Sequence, residues 1–102
     1  MKRKTSDSPG RKTLEKMAPQ STLDIHGLKG EEAKREVLFF IRNCRKRGLK
    51  KGLIIHGKGL HSPEGAVLRP MVRKLLSSHP QIKNWGKAPR NEGGEGATWF
   101  IV

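Results

Sequence analysis

The sequence predicts a two-layer α/β sandwich: a mixed four-stranded sheet in the order β-α-β-α-β-β, with two helices on one face. Two observations predict it. Segments of alternating apolar residues are interleaved with segments of helical periodicity. Two of the short apolar segments end in His-Gly thirty residues apart, about the length of one βαβ unit. A chain of 102 residues holds one small domain and at most a short tail.

The elements follow in order. Thr22–His26 reads as a strand, with Leu23 and Ile25 alternating with Asp24 and His26. Gly30–Arg47 reads as a helix, because Ala33, Val37, Ile41 and Cys44 make one apolar stripe. Glu31 and Glu32 suit its positive end, Arg45 to Arg47 its negative end, and Gly48 its stop. Leu53–His56 is a second strand. Leu68, Val72, Leu75 and Leu76 mark a second helix, which Pro70 requires to start late or bend. Ile82–Lys87 and Ala97–Val102 are the last two strands, joined by a glycine-rich loop. With both helices on one face, the other face of the sheet is open to solvent.

Lys and Arg number 22 against nine acidic residues, a formal charge of +13 that points to a polyanionic partner. Residues 1–20 carry +4 with almost nothing apolar, which reads as a disordered basic arm; the domain proper begins at Ser21 and carries +9. The single cysteine, Cys44, excludes a disulfide framework and a multi-cysteine zinc finger. No apolar run approaches the ~20 residues of a bilayer span, and no secretory signal pattern follows the first residues, so the expected location is cytoplasmic.

The paired His-Gly strand ends are the most informative feature. A right-handed crossover makes Leu23–Gly27 and Leu53–Gly57 parallel and brings both to the carboxyl edge of the sheet, where open α/β sheets bind ligands. Asp24 and His26, two apart, point the same way, so the acid can fix the imidazole tautomer. Alternatively Asp24 caps a loop and His26 only fills a strand end. Gly57, Lys58 and Gly59 lead into the second helix and suit an anion, although the spacing of a nucleotide-binding P-loop is missing. Gly93, Gly94 and Gly96 form a second loop able to shape the same site, with Glu95 unassigned. Arg42, Arg45, Lys46, Arg47, Lys50 and Lys51 cluster at the end of the first helix, and Arg69, Arg73 and Lys74 on the second. Both groups suit phosphate-backbone contact as well as an ordinary solvated face. Trp85 and Trp99 read as half-buried strand residues, base stacking being the alternative.

These motifs resemble the Smr (small MutS-related) domain. Leu23-Asp24-Ile25-His26-Gly27 with Glu32-Ala33 is similar to its first motif, and Ile55-His56-Gly57-Lys58-Gly59 to its second. Val67 to Leu76 is similar to its second helix, and Ala88-Pro89 with Gly93 to Ala97 to its final loop and strand. The likeness covers about residues 22–102, as in a stand-alone single-domain member. It implies a sandwich similar to the C-terminal domain of translation initiation factor three, and endonuclease activity on DNA or RNA, in some members at stalled ribosomes. It also implies Asp24, His26 and His56 as the catalytic residues.

The expectation is therefore a phosphodiesterase acting within a strand. His26 and His56 share the acid and base roles, and Lys58 and the loop amides hold the phosphate. RNA, with its 2′-hydroxyl, needs no metal; cutting DNA needs water and makes a divalent cation such as Mg or Mn plausible. No resident metal is assigned, and a zinc site from His26, His56 and His61 is disfavoured without cysteines. The alternative is a non-catalytic module that binds nucleic acid or the ribosome. No membrane partner is expected, and a monomer is favoured.

Overall fold

A computed structural model describes residues 11–59 and 63–102. Its sheet has four strands, β1 (Ser21–Asp24), β2 (Lys51–Ile55), β3 (Asn84–Lys87) and β4 (Ala97–Ile101), in the order β1-β2-β4-β3. β1 runs parallel to β2, with Asp24 opposite Ile55, while β4 is antiparallel to both β2 and β3. The sandwich and its mixed sheet follow the sequence pattern.

Among the described residues three α-helices accompany the sheet: α1 (Arg11–Lys16), α2 (Gly30–Lys46) and α3 (Pro63–Ser78). The predicted stripe of α2 is its buried face, Ala33, Val37, Ile41 and Cys44 all being at most 1% exposed. They pack with Leu68, Val72 and Leu76 of α3 and with Ile25, Ile54 and Phe100 of the sheet in one core. Phe40 meets Phe100 edge-on at 5.6 Å, a favoured aromatic geometry. Gly52 gives the Phe100 ring its space, since a Cβ at that position would lie 2.5 Å from the ring. Short 3₁₀ turns at Arg90–Glu92 and Gly94–Gly96 lead into β4.

The structure corrects two expectations. α3 starts early, at Pro63, and continues through Pro70 rather than starting late. Pro70 and Ala66, four residues before it, are both exposed, so the carbonyl that loses its helical partner faces water. Residues 11–20, expected in a disordered arm, are instead tied to the sheet face opposite α2 and α3. Lys51 is only 2% exposed; its Nζ donates to the carbonyls of Glu15 at 2.7 Å and Met17 at 2.6 Å, and lies 5.1 Å from the Trp99 ring centre. Gln20 Oε1 accepts from the Lys50 amide at 2.6 Å, and the Gln20 amide donates to Lys51 O. A buried ammonium needs acceptors, and the end of α1 supplies them. The open face is thus partly covered. Residues 1–10 of the expected arm lie outside the described residues, and no described helix is long and apolar enough to cross a membrane.

Candidate nucleic-acid-cleaving site

The carboxyl edge of β1 and β2 is built by hydrogen bonds that join three loops. The Ile25 amide donates to Ile55 O, which continues the parallel ladder past β1. The chain then turns, the Leu28 amide closing onto Ile25 O. Across from it, the amides of His56 and Gly57 both donate to Gly96 O, at 3.0 and 2.9 Å. Gly57, at φ +84°, turns the chain away where a Cβ would stand 3.6 Å from that of His26. Gly96 in turn lies against Gly57 and the Lys58 stem. His26, Gly57, Lys58 and the Gly93–Gly96 loop therefore form one contiguous rim.

Asp24 and His26 stand on its solvent side, their side chains 48% and 69% exposed. Asp24 Oδ1 accepts from the His26 amide at 3.0 Å and is paired with His26 Nδ1. Partial burial by itself raises the Asp24 pKa, but both hydrogen bonds from His26 and its charge outweigh this and hold the carboxyl below 3.8. The acid fixes the ring through Nδ1, which leaves Nε2 directed away from the pair as the nitrogen available for chemistry.

His56 does not join them. It is fully buried on the helix-facing side, with Nδ1 2.8 Å from Gly57 O and Nε2 2.9 Å from Thr98 Oγ1. A carbonyl only accepts, so Nδ1 carries the proton and Nε2 accepts from the Thr98 hydroxyl. Burial pushes the His56 pKa below 6.5, against the Gly57 hydrogen bond and with help from the charges of Arg73 and Arg69. The expectation of two imidazoles sharing acid and base roles is corrected: neutral His56 holds its own turn in place. His61, weighed as a zinc ligand, lies outside the described residues.

The cationic residues fall into separate groups. Lys51 is corrected from a nucleic-acid contact to a buried clamp. Arg42, Arg45, Lys46, Arg47 and Lys50 are exposed, the first three lining a cleft with His79 and Gln81. They sit near the start of β2, about 16 Å along that strand from His56. Arg73 is half-buried, its guanidinium 6.0 Å from the Trp85 ring centre. Arg69 belongs to the rim: its Nη1 lies 3.2 Å from Glu95 Oε1, and Lys87 Nζ lies 3.4 Å from Glu95 Oε2. Sequence reasoning missed Lys87 and Thr98. The Thr98–Phe100 alternation carried a signal for Thr98, since it puts both on one face.

The four-stranded mixed sheet thus carries an Asp-His pair at its parallel strand edge, beside two glycine-rich turns. The Smr domain model matches residues 23–102, and the chain belongs to the Smr domain family. An uncharacterized protein of Treponema pallidum is 37% identical over 93 residues, 91% of this chain and 46% of its own length. Ribosome rescue factor SmrB of Aliivibrio fischeri is 37% identical over 82% of this chain and 45% of the relative. Endonuclease MutS2 of Streptococcus mutans is 38% identical over 85% of this chain and 11% of the relative. The match thus spans less than half the length of these curated relatives. Among solved structures, the Smr domain of Thermus thermophilus MutS2 superposes with a TM-score of 0.72 at 31% identity, covering 79% of this chain and 95% of that one. YdaL, a stand-alone small MutS-related protein from Escherichia coli, gives 0.77 at 28% identity, covering 86% and 69%.

Proposed function

We propose that this protein is an endonuclease that cleaves RNA by attack of the ribose 2′-hydroxyl on the adjacent phosphate. The carrying observation is the exposed Asp24–His26 pair beside a rim of glycines and cations. His26 Nε2 takes the 2′-hydroxyl proton, and the Asp24 carboxylate on Nδ1 stabilises the imidazolium that forms. The 2′-oxygen bonds to phosphorus and the bond to the 5′-oxygen breaks. That oxygen takes a proton from water, leaving a 2′,3′-cyclic phosphate and a 5′-hydroxyl. Lys58 supplies positive charge for the phosphoryl oxygens; the amides of Gly57, Gly93, Gly94 and Gly96, expected to hold the phosphate, are instead bonded to backbone carbonyls.

The route through the ribose hydroxyl needs no divalent cation such as Mg or Mn. Both Glu95 oxygens face Arg69 and Lys87, Asp24 Oδ1 is held by His26, and no group of three His, Cys, Asp or Glu side chains suited to a metal occurs among the described residues. This favours RNA over DNA as substrate. The relatives named ribosome rescue factor and endonuclease support a nucleic-acid target, with ribosome-bound RNA as one setting.

The test is incubation of the purified protein with labelled RNA, single-stranded DNA and duplex DNA, with and without EDTA, followed by end analysis. RNA cut to a cyclic phosphate in EDTA is the expected result. His26→Ala and Asp24→Asn abolish cutting while affinity stays nearly intact. Equal cutting by parent and variants removes the catalytic assignment; binding without cutting by any of them leaves a nucleic-acid or ribosome-binding module.

A further inference from the structure

The rim holds an unusual charge arrangement. Lys58 from the turn after β2, Arg69 from α3 and Lys87 from the end of β3 converge on the Gly93–Gly96 loop. The Lys58 stem lies against Gly96, and the guanidinium and ammonium of the other two face the Glu95 carboxylate. Arg69 Nη1 also approaches Glu95 O at 3.4 Å. One carboxylate thus spans two cations drawn from different elements. Each of its two oxygens faces a different cation.

We propose that Arg69 and Lys87 form a phosphate subsite, and that the Glu95 carboxylate occupies it in the free protein and is displaced by a nucleic-acid phosphate. The proposal rests on the nucleic-acid-binding part of the reading above and assigns Glu95 and Lys87, which that reading does not use. Three features support displacement. The pairs are long, at 3.2 and 3.4 Å. All three side chains are open to solvent, at 36% for Arg69, 58% for Lys87 and 55% for Glu95, and exposed pairs of this kind are weak. A phosphate offers each cation a more highly charged acceptor than a carboxylate does, and Arg69 can meet it with two parallel N–H groups. Glu95 keeps the two cations in place while the site is empty. It also opposes weakly bound anions, so the subsite selects ligands that make further contacts along the rim.

The experiment measures binding of a fluorescein-labelled single-stranded oligouridylate by anisotropy over a salt series, with the full chain. Glu95→Gln keeps the size of the side chain and removes its charge. It is expected to tighten binding about threefold to tenfold with the salt slope nearly unchanged, since the same two cations meet the phosphate once Glu95 is displaced. Adding Arg69→Ala and Lys87→Ala to Glu95→Gln abolishes the gain. Lys87→Glu, at an exposed strand end, weakens binding on its own and provides an arm that does not depend on the loop variant folding. Unchanged or weaker binding by Glu95→Gln with an unshifted thermal midpoint overturns the proposal, as does parent-like binding by Lys87→Glu. Cutting of the same oligonucleotide is scored separately. Tighter binding on a parent that cuts nothing upholds the subsite and removes the hydrolytic reading, whereas intact cutting with unchanged binding removes the subsite alone.

Discussion

Replacing Thr98 by Val tests whether His56 holds the fold of the site or takes part in its chemistry. The two side chains are nearly the same size, and both Thr98 and His56 are 0% exposed, so the change leaves packing close to intact. What it removes is the hydroxyl that donates to His56 Nε2 across 2.9 Å. The imidazole proton is committed to Gly57 O at 2.8 Å, so Nε2 is left as a buried acceptor with no donor. Such a group costs about 1–3 kcal/mol. With a urea m-value of about 1–1.5 kcal/mol/M for a domain of this size, the unfolding midpoint falls by about 0.7–3 M. In a thermal melt the loss is about 4–24 °C. Thr98→Ser keeps the hydroxyl and loses only a methyl group, so it falls well short of the Val variant. A Thr98→Val midpoint within about 0.3 M of the parent, at unchanged m, would show that Nε2 does not depend on this hydroxyl and refute the positioning role.

Four other outcomes follow from the same geometry. Because the folded His56 pKa lies below 6.5, the unfolded chain binds more protons just below that pH; the His56 contribution is full above 6.5 and is lost as pH falls, which denaturant melts at pH 7 and pH 5 register. Lys51→Met leaves the Glu15 and Met17 carbonyls without their donor; it lowers stability by about 1–3 kcal/mol and exposes residues 11–20 to limited proteolysis. Gly52→Ala drives a Cβ to 2.5 Å from the Phe100 ring and costs about 1–3 kcal/mol by overpacking, read as a lowered urea midpoint. The pair Arg45→Glu and Lys46→Glu, at the far end of β2, weakens RNA binding and flattens its salt dependence while the cleavage rate of bound RNA stays at the parent value.

The sequence by itself determined the layers, the helix stripe of Ala33, Val37, Ile41 and Cys44, and the meeting of the two His-Gly turns at one sheet edge, because side-chain periods of 2.0 and 3.6 are local properties. It also determined where Asp24 and His26 point. In Leu23-Asp24-Ile25-His26 the apolar positions alternate, so the polar pair is assigned to the opposite face. Tertiary structure alone decided the direction of His56. Leu53, Ile54 and Ile55 are all apolar, and a run without alternation does not tell which parity faces the helices. Ile54 does, and His56 follows it into the core beside Thr98. The capture of residues 11–20 was equally invisible, because an isolated segment rich in charge shows no reason to order. The acceptors it offers matter only once folding has buried Lys51 against Trp99 and left an ammonium to be satisfied.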